Sequence, residues 1–181
     1  MRASGRPSEA EIDCARELTS IGAGHAASAL ASLMGRTCEM NVPRLQSASS
    51  PESGLTGVLF ELAGGTGGVL ALFFPAATRD RLLDQLLGPE RAGKRGPSSA
   101  RSALCEVGNI LASHALNALG EMVGEVMLPS PPQLELTDAP AAFVNLLARH
   151  HGGATALRIE TEIFDRAGEL RGILVFVPDR L

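Results

Sequence analysis

Small and apolar residues recur at helical spacing from Ser8 to Gly35, predicting a first long helix. Ser8 followed by Glu11 is a capping-box signature at its start, and Gly35 is a natural terminator at its end. Residues 37–42 alternate as a strand does and are stopped by Pro43. After a Ser-rich loop, residues 55–63 and 68–74 flank the turn Gly64-Gly65-Thr66-Gly67, which predicts a β-hairpin. Residues 77–87 carry an apolar stripe at Leu82, Leu83, Leu86 and Leu87 and end at Gly88, as a short amphipathic helix would.

The Gly-, Pro- and charge-rich stretch 88–97 reads as a joint, because the chain beyond it begins as the first part did. A long helix is expected over 99–124, a strand over 133–136 and a short helix from Asp138 to about Arg149. A second hairpin, 154–164 with 170–177, turns at Arg166-Ala167-Gly168. The same spacing of 89 residues separates Glu17 from Glu106, His25 from His114 and Pro43 from Pro132. A duplicated unit accounts for this, with repeats at about 8–87 and 98–177 inside one domain of 1–181. The expected fold class is α/β of the α+β kind: a pseudo-twofold pair of units, a joined antiparallel-rich sheet, and two long helices on one face.

Composition narrows the function classes. With 45% hydrophobic and 20% charged residues the chain can bury a core, which excludes a disordered chain. A net charge of −4 and the lack of Trp and Tyr argue against nucleic acid, which needs a basic face and stacking platforms. Cys14, Cys38 and Cys105 are odd in number and widely spaced, so neither a disulfide framework nor a zinc knuckle is indicated. No apolar run is long enough to span a bilayer and the amino terminus has no signal-peptide core, so a cytoplasmic protein without a membrane anchor is expected. Two repeats in one chain predict a monomer.

At about 100° per residue, Ser102, Glu106, Asn109 and Ser113 fall on one side of the second long helix. Leu104, Val107, Leu111, Ala115, Ala118 and Met122 fall on the other and are predicted to be buried. The first helix carries a parallel stripe of Asp13, Glu17, Ser20 and Gly24. Any solvated helix face can carry a Glu and an Asn three apart, but two features single this pair out. Asn is a mediocre helix former and is costly in mid-helix unless its amide has a task. A proline also lies at the same distance after each stripe.

The pattern D/S-x3-E-x2-N-x22-P is that of the CheC, CheX and FliY chemotaxis phosphatases, and Ser102, Glu106, Asn109 and Pro132 match it throughout. The first half reads Asp13, Glu17, Ser20 and Pro43, departing at Ser20, and the text from Glu17 to Gly35 and from Met40 to Leu45 also resembles the family's amino-terminal repeat. The resemblance implies hydrolysis of the aspartyl phosphate of a CheY-type response regulator, whose own active site holds the Mg2+ and the lysine. It implies that Asn109 orients the attacking water and that Glu106 docks against that lysine, since phosphoryl transfer asks mainly for positioning. Glu17 and Ser20 would form a second, weak site, with Asp13, Pro43, Ser102 and Pro132 as support. No cofactor or metal is expected on this chain. The alternative in the same resemblance is a non-catalytic adaptor that binds a CheD-type receptor deamidase or a flagellar switch partner. Switch proteins lose the Glu/Asn pair, and the expectation of no switch domain after Leu181 favours the enzyme.

Other features predict less. Gly22-Ala23-Gly24 and the Gly64–Gly68 stretch lack the Lys-Ser/Thr of a phosphate loop and read as helix packing and a turn. His25 and His114 sit at equivalent repeat positions, where they could face each other, but have no Cys or carboxylate companions. His150-His151 closes a helix, where an imidazolium suits the dipole.

Overall fold

The computed structural model describes residues 8–46, 54–88, 96–151 and 157–179. Most of the expected joint, the Ser-rich loop and the start of the second hairpin at Ala154 lie outside the described residues. The elements run α1 (Glu9–Met34), β1 (Cys38–Met40), β2 (Arg44–Gln46), β3 (Thr56–Ala63), β4 (Gly68–Phe74) and α2 (Ala76–Leu87) in the first half. They continue as α3 (Pro97–Val123), β5 (Leu128–Pro129), β6 (Gln133–Glu135), α4 (Ala139–His151), β7 (Arg158–Asp165) and β8 (Arg171–Val177).

Both long helices obey local chemistry. Ser8 and Glu11 form the reciprocal capping box, and the Ser8 N–H holds the Glu11 carboxyl below its ordinary value. The third helix starts two residues earlier than expected because Pro97, at its first turn, has no N–H to leave unpaired. Gly35 and Gly124, 89 residues apart, close the two helices in the left-handed conformation at φ 62° and 70°.

One antiparallel sheet runs in the order β1-β7-β8-β4-β3-β5, with β2 also on β7 and β6 also on β3. The two hairpins meet at its centre, where Ala71 pairs with Val175 and Leu72 with Leu174. The outer strands are exchanged: β1 and β2 pair with the hairpin of the second half, whereas β5 and β6 pair with the hairpin of the first. Pro43 does not stop the strand region but separates β1 from β2, and Val42 beside it is largely exposed. Pro132 likewise separates β5 from β6.

The alternation of strand side chains builds two cores. Val58, Phe60, Leu70, Leu72, Leu174 and Phe176 point to the face covered by α1, α2 and α3. Leu59, Val69, Phe73, Val175 and Val177 point to the other face, where Phe143 and Leu146 of α4 cover them. Phe73 and Phe143 meet edge to face at 5.5 Å between ring centroids. The long helices pack against each other more extensively than any other two elements, through small residues such as Ala23, Ala26, Ala112 and Ala115 that are wholly buried. Each buried position of α3 has a buried counterpart 89 residues earlier, from Leu104 and Ala15 to Leu119 and Leu30. Met122 breaks the expectation of burial. In the last turn Val123 takes over the core contact, and Met122 is 46% exposed.

Candidate functional site

The polar stripe predicted for α3 faces outward: Ser102, Glu106 and Ser113 are exposed and Asn109 is half-buried. Neither Glu106 nor Asn109 makes a hydrogen bond or ion pair among the described residues. At a three-residue spacing their Cβ atoms stand about 5–6 Å apart, so a carboxylate and an amide present themselves side by side to whatever approaches the helix.

What fixes the height of this stripe above the sheet is Gly108, buried between the two. A Cβ placed there would lie 2.5 Å from Val58 Cγ1 and 2.9 Å from Val58 Cβ, inside any tolerable contact. Only glycine lets α3 settle this close to β3, and the settled helix carries Glu106 and Asn109 at a fixed depth. Arg101 ties the same helix to β6 by donating to the Leu134 carbonyl at 3.3 Å, next to Pro132. Leu134 packs into the core beneath.

Ser102 and Glu106 also line a groove of about 670 Å³. Its other walls include Ser98 and Ser99 of α3 and Leu86 and Leu87 from the last turn of α2. Leu86 is 38% exposed there, an apolar side chain that lines the same groove as the Glu106 carboxylate. The sequence shows the leucines of α2 as one apolar stripe; nothing in a local pattern tells which of them faces another helix's polar edge.

The α1 stripe is built in the same way but differs in detail. Glu17 is exposed and Ser20 half-buried, and both are without hydrogen-bond partners among the described residues. Asp13 is engaged with Arg16 at 3.5 Å. Thr19 stands at the position of Gly108, its hydroxyl donating to the Ala15 carbonyl at 2.8 Å. The structure brings Asp13, Glu17 and Ser20 together on one helix face and Ser102, Glu106 and Asn109 on another; Pro43, buried, and Pro132, half-buried, act as spacers in the strand connections.

His25 and His114 line a shared groove of about 340 Å³ between α1 and α3, with Ser28, Ser32 and Ile110. Among the described residues no three His, Cys, Asp or Glu side chains come together to hold a metal ion. His150 finds a partner beyond its own helix end, its Nε2 lying 2.9 Å from Asp179 Oδ1.

Apart from Glu11 of the capping box, the perturbed titratable groups belong to a brace beyond the end of α1. Asp165 is 4% exposed. Burial alone would raise its carboxyl, but it accepts the N–H groups of Leu170 at 2.9 Å and Glu169 at 2.7 Å, and Arg36 lies 3.2 Å away. Together these hold it below the usual carboxylate value. Arg36 also pairs with Glu169, which Arg81 of α2 reaches at 3.2 Å. Next to this brace, burial pushes the Cys38 thiol up, as suits an inert cysteine. Among the described residues no helix is long and apolar enough to cross a membrane.

Comparison with known proteins gives a consistent pattern. The model of the CheC-like family matches residues 100–136, the stretch that holds Ser102, Glu106, Asn109 and Pro132. The chain is 31% identical over 189 aligned positions to the CheY-P phosphatase CheC of Bacillus subtilis, covering 94% of this chain and 89% of that one. In fold it is similar to a chain of the CheX-CheY-BeF3-Mg2+ complex from Borrelia burgdorferi, with a TM-score of 0.61, 18% identity, and coverage of 88% of this chain and 96% of that one. It is also similar to a chain of the FliM-SpeE complex from H. pylori, with a TM-score of 0.69, 18% identity, and coverage of 96% and 90%.

Proposed function

The chain belongs to the CheC-like family, and we propose that it hydrolyses the aspartyl phosphate of a CheY-type response regulator through the Glu106–Asn109 stripe of α3. The observation that carries this reading is a carboxylate and an amide without partners among the described residues, adjacent on the outer face of a helix seated on the sheet by Gly108. The similar Bacillus protein is named a CheY-P phosphatase, and the Borrelia complex joins CheX to CheY with BeF3 and Mg2+, which supports the same class of partner.

The division of labour follows from the chemistry. The regulator brings the acyl phosphate, a lysine and a divalent cation that neutralises charge on the phosphoryl oxygens. Glu106 accepts a charge-assisted hydrogen bond from that lysine and so sets the register of docking. Asn109, one turn on, offers both a donor and an acceptor and holds a water in line with the scissile bond. As the water oxygen bonds to phosphorus, the old P–O electron pair stays on the aspartyl carboxylate and a water proton passes to the phosphate or to solvent. No nucleophile of this chain is used.

The test is loss of phosphate from a phosphorylated CheY-type regulator in Mg2+. Asn109→Ala should lower turnover by about a hundredfold or more, because a mispositioned water loses most of what the enzyme contributes. Unchanged turnover in that variant would remove the reading. The likeness to the FliM-containing complex supports a second one, a non-catalytic adaptor for a switch partner. An adaptor would bind its partner equally well with Asn109 or Ala at this position and release no phosphate in either case.

A further inference from the structure

We propose that the last turn of α2 is a docking wall for the phosphorylated regulator, with Leu86 setting the affinity of the Glu106–Asn109 site. The inference rests on the proposed role of that stripe and names what holds the partner against it. A lysine meeting Glu106 at an exposed helix face forms an ion pair that changes affinity by no more than about fivefold. Specific protein partners need an apolar centre that is desolvated on docking, with the charged contact at or beside it. Leu86 supplies one: it is an exposed large apolar side chain and lines the same groove as Glu106. Because Glu106 itself lines this groove, a receiver domain that places its lysine on Glu106 stands at the groove's edge, within reach of Leu86. Covering Leu86 buries apolar surface and also lowers the effective dielectric around the lysine–Glu106 pair, strengthening it.

The wall is built on one half only. The second helix packs on α3 and β4, whereas α4, the short helix of the second half, lies on the opposite face against β3, β4 and β6. Among the described residues α1 packs mainly against α3, β1 and β7, and no helix end is among these main partners. The two stripes therefore differ in partner affinity as well as in the Ser20/Asn109 exchange. An Asn placed at position 20 would act on a partner held less tightly than the one at α3.

Docking is read separately from turnover by titrating the protein with a CheY-type regulator activated with beryllofluoride and Mg2+, following binding by fluorescence or calorimetry. Leu86→Gln keeps a good helix former at an exposed position and adds no charge; it should raise Kd about tenfold, while Leu86→Met stays near the parent value. An unchanged Kd in Leu86→Gln, with the parent protein binding, overturns the wall and leaves the proposed function standing. No binding by the parent protein removes the partner on which both readings depend. Sedimentation of the same variants covers the other occupant: a self-association that Leu86→Gln abolishes, at unchanged regulator affinity, would assign the groove to a second copy of this chain and overturn the proposal.

Discussion

Adding one methyl group at Gly108 tests whether the depth of α3 on the sheet matters to the chemistry. The new Cβ of Gly108→Ala would stand 2.5 Å from Val58 Cγ1, about 1 Å short of an ordinary carbon–carbon contact. Val58 has no exposed surface and its Cβ is itself only 2.9 Å from the added atom, so rotating the side chain cannot relieve the clash. The helix has to rise from β3 by a large part of that ångström. Overpacking of this kind costs about 1–3 kcal/mol, and the better helix propensity of Ala returns about 1 kcal/mol. The net loss of stability should therefore be no more than about 2 kcal/mol, a fall in Tm of at most about 8 °C. Activity should change much more, because Asn109 is the next residue and a displacement of about 1 Å at a positioned group costs on the order of a hundredfold in rate. The assay is phosphate release from a phosphorylated regulator beside a thermal melt of the same preparation. Val58→Ala in the Gly108→Ala background removes the two methyls but leaves Val58 Cβ at 2.9 Å from the new atom, so it should recover a measurable part of the lost rate. A Gly108→Ala variant with full turnover would refute the reasoning, as would a double variant that stays dead while folded.

The two halves and the acid response give further tests. Glu17→Ala with Ser20→Ala should retain most turnover and Glu106→Ala with Asn109→Ala should abolish it. In the second background Ser20→Asn should bring back measurable phosphate release, and a dead first-half double variant would mean that the motif points to the wrong helix. Asp165 has a folded pKa depressed below its unfolded value. It therefore contributes stability that is full above the unfolded carboxylate value and is lost as pH falls through the lower, folded one. Asp165→Asn should lower the melting temperature at neutral pH, losing about 2 kcal/mol of charge-assisted hydrogen bonding, and should flatten the decline of stability in acid. An unaltered acid profile would show that other carboxylates dominate it.

The parts of the fold legible in the sequence are those dictated by neighbours along the chain. Ser8 and Glu11 announce the start of α1, Gly35 and Gly124 end the long helices, and the alternating hairpin strands declare themselves by their turns. Short strands do not declare themselves this way. Arg44–Gln46 and Leu128–Pro129 are too brief for any period to show, and they exist because a hairpin from the other half pairs with them. The stripe of Ser102, Glu106 and Asn109 follows from helical geometry alone, so its outward face is legible. Its setting is not. The closeness of Gly108 to Val58 depends on a strand some fifty residues earlier, and the position of Leu86 beside Glu106 depends on how α2 folds back on α3. Met122 departs from expectation for a related reason: a helical wheel extends the buried face to the last turn, whereas the core ends where its partners end.

The exchange of outer strands has a consequence for how the molecule is made. Cys38 leaves the ribosome long before Asp165, its partner across the sheet, has been synthesised, and β3 likewise waits for β5 and β6. Neither half can close its own sheet edge, so the nascent first hairpin carries open edges until the last strands arrive, and assembly is dominated by slow, non-local pairing. For the same reason the two repeats cannot be cut apart into working units: a chain divided at the joint between α2 and α3 would leave each product without the strands that border its own hairpin. The two helix faces therefore belong to one folding unit, and a change on one of them, such as Ser20 where the other carries Asn109, is made on a scaffold that the other half completes.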